Sequence, residues 1–263
     1  MITTRQRTLI LVPLLGLAAA AWALLIWQAA RDMMAMGGLT QGMDAALFLV
    51  MWVAMMVAIM FPTAAPMILT FATVQAGKRQ RGNGFVPTWI FVASYLLLWS
   101  GLGVVAFAAA QAIDALTAQS MWLADNGSRL GGLVLIAAGV YQLTPLKRVC
   151  LNKCRTPIAF IMTSWREGTG GAFRMGLEHG WYCAGCCWLL FVILFPLGVM
   201  NILAMAIIAA VIFAEKTLPV GPRIAQAAAV VLVVYGAVAV VMPGVLPIMG
   251  PGSPVGSPGM DGM

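Results

Sequence analysis

AALFLVMWVAMMVAIMFPTAAPMILTFA, residues 45–72, runs for 28 residues without one charge. A helix needs about 20 mainly apolar residues to cross a bilayer. This stretch is long enough, and its composition suits lipid rather than a water-facing surface. The rest of the chain reads the same way. Of its 263 residues, 62% are hydrophobic and 9% are charged. Soluble domains carry about 25% charged residues. A chain so poor in charge cannot cover a globular surface, and its mean hydropathy of +0.96 agrees. The expected fold is therefore an all-α, polytopic transmembrane helical bundle.

Seven spans are predicted, at about 8–29, 45–72, 87–112, 129–146, 172–196, 199–215 and 222–242. They form one domain, 1–242. The tail 243–263 is rich in Pro, Gly and Ser and is expected to be disordered. With the N-terminus in the cytoplasm, thirteen of fifteen basic residues fall inside: Arg5, Arg7, Lys78, Arg79, Arg81, Lys147, Arg148, Lys153, Arg155, Arg166, Arg174, Lys216 and Arg223. Only Arg31 and Arg129 fall outside. The positive-inside rule expects that bias. Merging the fifth and sixth spans would move Lys216 and Arg223 outside, so the charges favour seven, with the C-terminus periplasmic. Leu9–Trp27 behind Arg5 and Arg7 is longer than the core of a signal peptide, roughly 7–15 residues, and reads as an anchor.

The net charge of +7 is spent on topology. No basic patch is interleaved with exposed aromatics, so nucleic acid is not an expected partner; the lipid bilayer is. The internal segment from Lys147 to Gly171 is the longest inside loop. Within it, Ile158, Ile161, Met162 and Trp165 have the spacing of a short helix in the membrane interface. Gly127/Gly131 and Gly176/Gly180 have the spacing that lets helices approach closely.

All five cysteines fall in two stretches. Cys150 and Cys154 follow the fourth span. Cys183, Cys186 and Cys187 lie in the fifth, just after His179, the single histidine. At 100° per residue, Cys183, Cys186 and Cys187 stand at roughly +40°, −20° and +80° from His179, on one face. The inner compartment keeps thiols reduced, so disulfides are not expected. Thiolate and imidazole select copper(I), zinc or iron–sulfur centres. His179 and Cys186 are about 10 Å apart along the helix axis, too far for one ion. Either two sites exist, such as His179/Cys183 and Cys183/Cys186, or one site is completed by Cys150 and Cys154. Packing alone is the competing account, because cysteine sits comfortably in apolar helices.

Arg174 and Glu178, four residues apart, read as an ion pair at a helix end. Glu178 could instead orient His179 from behind. Glu215-Lys216, at the inner end of the sixth span, is open to both kinds of reading. The 19 methionines supply a possible metal path. Met33, Met34, Met36 and Met43 lie outside, and Met51, Met55, Met56, Met60 and Met67 in the second span. Met56, Met60 and Met67 lie within about 40° on the wheel; Met51 and Met55 face elsewhere. Thioethers favour copper(I), although methionine is also a common filler of apolar gaps. Pro62 and Pro66 are expected to kink this helix and free backbone carbonyls.

Four stretches together resemble a known family. They are Met51-Trp52-Val53-Ala54-Met55 on to Met60-Phe61-Pro62; Tyr141 to Lys147 leading to Cys150-Leu151 and Cys154-Arg155; Gly180 to Cys183-Ala184-Gly185-Cys186-Cys187-Trp188; and Glu215-Lys216. The chain is similar to bacterial integral membrane proteins described as predicted metal-binding, with a domain of unknown function numbered 2182. The likeness covers about Asp44 to Lys216. Ile59 and Phe191 stand where that family often has methionine. The resemblance implies a bacterial cytoplasmic (inner) membrane protein that binds a metal.

The sequence thus leads to a membrane protein binding a soft metal through Cys150, Cys154, His179, Cys183, Cys186 and Cys187. Copper is the expected ion and zinc the alternative. Transport or delivery, with other membrane or periplasmic metal-handling proteins as partners, is the expected role. A thiol-redox enzyme and a structural subunit with a metal-stapled helix pair are the alternatives. No nucleotide loop and no zinc-protease helix is present.

Overall fold

A computed structural model describes residues 4–31, 39–40, 42–82, 84–199 and 201–246. The expected external methionines Met33, Met34 and Met36, and the tail beyond Leu246, lie outside the described residues. Ten α-helices follow in order: α1 Thr4–Arg31, α2 Ala45–Gln80, α3 Thr88–Gln119, α4 Met121–Gln142, α5 Pro145–Arg155, α6 Pro157–Ser164, α7 Gly168–Val192, α8 Leu194–Leu197, α9 Ile202–Thr217 and α10 Gly221–Val241. Among the described residues there is no strand.

α2 is the spine of the bundle. It starts where Asp44 accepts a hydrogen bond from the Leu47 N–H at 2.8 Å, a normal N-cap. Its 36 residues run on through Pro62 and Pro66 as one helix. At 1.5 Å per residue it is about 54 Å long, against a hydrocarbon core of about 30 Å. Its basic end, Lys78 and Arg79, therefore has room to project past the lipid. α2 packs against α1, α3, α6 and α9, while α7 packs on α3 and α5. In the apolar windows of α2 and α7, 56% of residues are buried, against 22% in α1 and α10. The outer helices give most of their surface to the surroundings, and α2 and α7 give most of theirs to each other's neighbours.

Glycines set the closest contacts. A Cβ on Gly236 of α10 would lie 2.6 Å from the Gly132 carbonyl oxygen of α4. One on Gly139 would lie 2.8 Å from the Ala229 oxygen. The α4–α10 contact thus uses Gly132 and Gly139 of α4 with Gly236 of α10. The Gly176 expectation holds: a Cβ there would sit 1.9 Å from Ser94 Oγ and 2.4 Å from the Phe91 oxygen, so α7 presses directly on α3.

Among the described residues, five helices are long and apolar enough to cross a membrane: α1, α2, α3, α7 with α8, and α10. A sixth is counted if α4 and α5, bent by 63°, make one broken span. The bend has a local cause. Pro145 opens α5, and Thr144 caps it by accepting from the Lys147 N–H at 3.3 Å. Cys150 and Cys154 are therefore on a helix, not in a loop. α9, predicted as the sixth of seven spans, has 16 residues, or about 24 Å, short of the core thickness. A short helix forms in the segment 157–165, α6. Phe160 and Ile161 face inward, Trp165 is half-buried, and Ile158 and Met162 point outward.

Candidate metal centre

His179, Cys183, Cys186 and Cys187 are all buried on α7, as one helical face predicts. Five helices meet around Cys183. Its Sγ lies 3.7 Å from Met60 Sδ of α2. The Tyr95 hydroxyl of α3 is 3.0 Å away. Lys216 Nζ of α9 donates to the same sulfur at 3.0 Å and stands 3.7 Å from Met60 Sδ. From α5, the Cys154 thiol lies beside those of Cys183 and Cys186.

The thiols of Cys186 and Cys187 also stand beside Cys183. Cys186 Sγ and Cys187 Sγ both donate to the Cys183 carbonyl oxygen, at 3.1 and 2.8 Å. These are i, i+3 and i, i+4 contacts along their own helix. Cys150 lies against the far side of α7, where a Cβ on Gly185 would meet its sulfur at 2.7 Å. Gly185 is what lets α5 come this close. All five cysteines are free.

His179 is enclosed by rings. Phe91 and Tyr95 stack on it, with centroids at 5.9 and 5.5 Å, and Phe160 meets it edge-on at 5.6 Å. Its Nδ1 is buried without a hydrogen-bond partner. Among the described residues, no three side chains drawn from His, Cys, Asp and Glu are gathered so that they could hold an ion by themselves. The cluster around Cys183 instead combines thiols with a thioether.

That composition suits one class of ion. Sulfur–metal bonds of about 2.3 Å bring two ligand sulfurs to about 3.7 Å when the angle at the metal is roughly 107°. Cys183 Sγ and Met60 Sδ have this separation. Thiolate and thioether are soft donors, of the class that selects copper(I), zinc or iron–sulfur centres.

Residues 49–239 match the family model described as PpoB2, copper chaperone. The chain belongs to this copper chaperone family. No curated protein and no solved structure shows significant similarity to it. The part that matches the PpoB2 copper chaperones holds all five cysteines, His179, Met60, Tyr95 and Lys216.

In this chain the second-span methionines divide. Met60 joins Cys183. Met51 and Met55 line a separate small cavity with Met43 and Met205. Met56 and Met67 are buried in the core. Glu178 accepts from Ser164 Oγ at 2.8 Å, tying α7 to α6, in place of the expected pair with Arg174.

Sequence reading missed three partners of Cys183: Met60 as a direct neighbour, Tyr95 and Lys216. It also missed a buried network next door. Lys147 Nζ donates to Glu215 Oε2 at 2.6 Å and to Gln142 Oε1, while Gln142 Nε2 donates to Glu215 Oε1 at 3.2 Å. One signal was available for Lys216. An ionisable side chain inside an apolar helix is costly, and usually has a task.

Proposed function

We propose that this protein binds copper(I) inside the cytoplasmic membrane and hands it on to a copper-requiring partner. Cys183 and Met60 are the central ligands, and Cys154 and Cys186 complete the coordination as their thiols turn toward the ion. Cys150, Cys187 and His179 form the flanking ring of the same site. The observation that carries this reading is the 3.7 Å approach of Cys183 Sγ to Met60 Sδ, with further thiols alongside. The chemistry of the family supports copper over zinc, as does a thioether in the ligand set. Delivery is favoured over a fixed structural role because the donors lie on several helices, so small shifts between helices can open the site. The chain crosses the membrane seven times in this reading, with α9 as a short sixth pass and the N-terminus cytoplasmic.

The test is bound metal. The full chain is purified in detergent without a polyhistidine tag, under reductant and without oxygen. Its metals are measured by elemental mass spectrometry beside a variant with Cys183, Cys186 and Cys187 changed to serine. The expected result is copper in the parent and, in the variant, loss of the tightly held ion, so that it carries less copper than the parent. Equal copper in both, or none in either after copper loading, would overturn the proposal.

A further inference from the structure

One cavity lies at the opposite end of α2 from its basic terminus. Its lining is Leu25, Met43, Phe48, Met51, Trp52, Met55, Val199 and Met205. Four of the eight are methionines. In the whole chain methionine is 19 of 263, so this wall is enriched about sevenfold over the composition; random apolar filling would place fewer than one methionine here. Every lining residue is buried. The cavity is about 10 Å³, at the lower limit for holding one water molecule. A water there would lack the polar partners it needs, because the walls are aliphatic, aromatic or thioether. A bare soft cation is smaller than water and is satisfied by sulfur.

The four methionines come from three separate parts of the chain. Met43 precedes α2, Met51 and Met55 are one helical turn apart on it, and Met205 is on α9. An i, i+4 pair on one helix can hold one ion between its side chains. Met205 is fully buried opposite that pair. Methionine side chains have three rotatable bonds, so small adjustments can turn their sulfurs to a common point.

We propose that Met43, Met51, Met55 and Met205 form a second, all-thioether copper(I) site that feeds the Cys183 centre. The nature of its ion rests on the copper reading above. Neutral thioethers bind copper(I) in preference to zinc or copper(II). They bind it without the charge attraction that a thiolate adds, so the ion can leave toward the stronger site. The way between the two is short. Met55 and Met60 are separated along α2 by about 7.5 Å, and Met56, also buried, lies between them.

The experiment is an anaerobic copper(I) titration of three full-length proteins in detergent, against a competing chelator. They are the parent, a Met51→Leu/Met55→Leu/Met205→Leu variant, and a variant with all five cysteines changed to serine. Leucine conserves volume and keeps the packing. The parent should bind two ions. The methionine variant should lose the weaker one, its affinity falling about 10-fold or more, and keep the stronger. The cysteine-free variant should keep the weaker alone, with sulfur as the nearest neighbour by copper X-ray absorption and no binding of zinc. If the methionine variant binds copper as the parent does, the thioether site is wrong. Nitrogen or oxygen neighbours, zinc binding, or no copper in a folded cysteine-free variant would overturn it equally. Failure of the thiol reading looks different: the cysteine-free variant would then bind as many ions as the parent.

Discussion

Glu215 and Lys216 are neighbours in the chain, yet they serve two different buried networks. Glu215 turns to Lys147 and Gln142, where each charge meets an opposite charge and an amide. Lys216 turns the other way, to the sulfurs of Cys183 and Met60. Both lysines are buried, Lys147 at 1% exposure and Lys216 at 9%. The first network is closed: a carboxylate balances an ammonium, and α5 is stapled to α9. The second is open. It presents a cation to soft donors that a metal ion would also seek. Under the proposed function, the difference separates a part that holds the helices from a part that handles an ion.

Breaking the closed network should have the larger effect on stability. Glu215→Gln leaves Lys147 as an uncompensated buried charge, which costs about 3–5 kcal/mol. Thermal and denaturant unfolding in detergent should show the loss, while copper per folded molecule stays unchanged. Lys216→Met removes the cation, and Cys183 can then take up a proton, so no orphan charge is left; the methionine side chain suits the sulfur-lined space. Its cost in the same assay should stay below about 2 kcal/mol. It should alter the copper content per folded molecule, which Glu215→Gln does not. Equal stability losses from the two variants, or unchanged copper in Lys216→Met, would dissolve the distinction drawn here.

A third lysine gives the smallest effect. Lys78 pairs with Glu167 near the basic end of α2, where Glu167 is largely exposed. Lys78, and then the Trp165 indole N–H, donate to Glu167 and hold its carboxyl below the usual carboxylate range. The sign follows from that direction. The contribution is fully present above the unfolded carboxylate pKa of about 4.3 and is lost as pH falls through the lower folded value. Solvent screens such a pair. Glu167→Gln should leave the unfolding temperature at neutral pH within error, and should differ from the parent only in how stability falls on acidification. A large drop at neutral pH would mean that this bridge between α2 and the start of α7 holds the bundle as firmly as the Lys147 network does.

Much of the fold was legible because lipid imposes a strong rule. A spanning helix must be long, apolar and nearly free of charge, and that pattern is visible without any partner. The α2 and α7 assignments came from it directly. The weaker cases were those where length and charge disagreed. Residues 199–215 look like a span by the charge rule, yet α9 is too short to pass a length test. Cys150 and Cys154 were read as loop residues because the fourth span was taken to end at the charged pair Lys147-Arg148; in the structure Pro145 starts a new helix that carries both. At the site, periodicity placed His179, Cys183, Cys186 and Cys187 on one face. It could not show that Cys186 and Cys187 would bend back to the Cys183 carbonyl, since that depends on side-chain rotation within the turn.

The sequence by itself determined a helical membrane protein, a sulfur-rich face on α7 and a methionine-rich α2. These are properties of single segments, set by composition and by the 3.6-residue period. Only the tertiary structure decided which segments face each other. Met60 and Lys216 come from helices far apart in the chain, and Met205 joins Met51 and Met55 across a similar gap. Such meetings depend on where Gly176 and Gly185 let backbones close in, and on which way two adjacent side chains, Glu215 and Lys216, are turned. No local pattern encodes them, because each is a contact between surfaces that exist only once the bundle has packed.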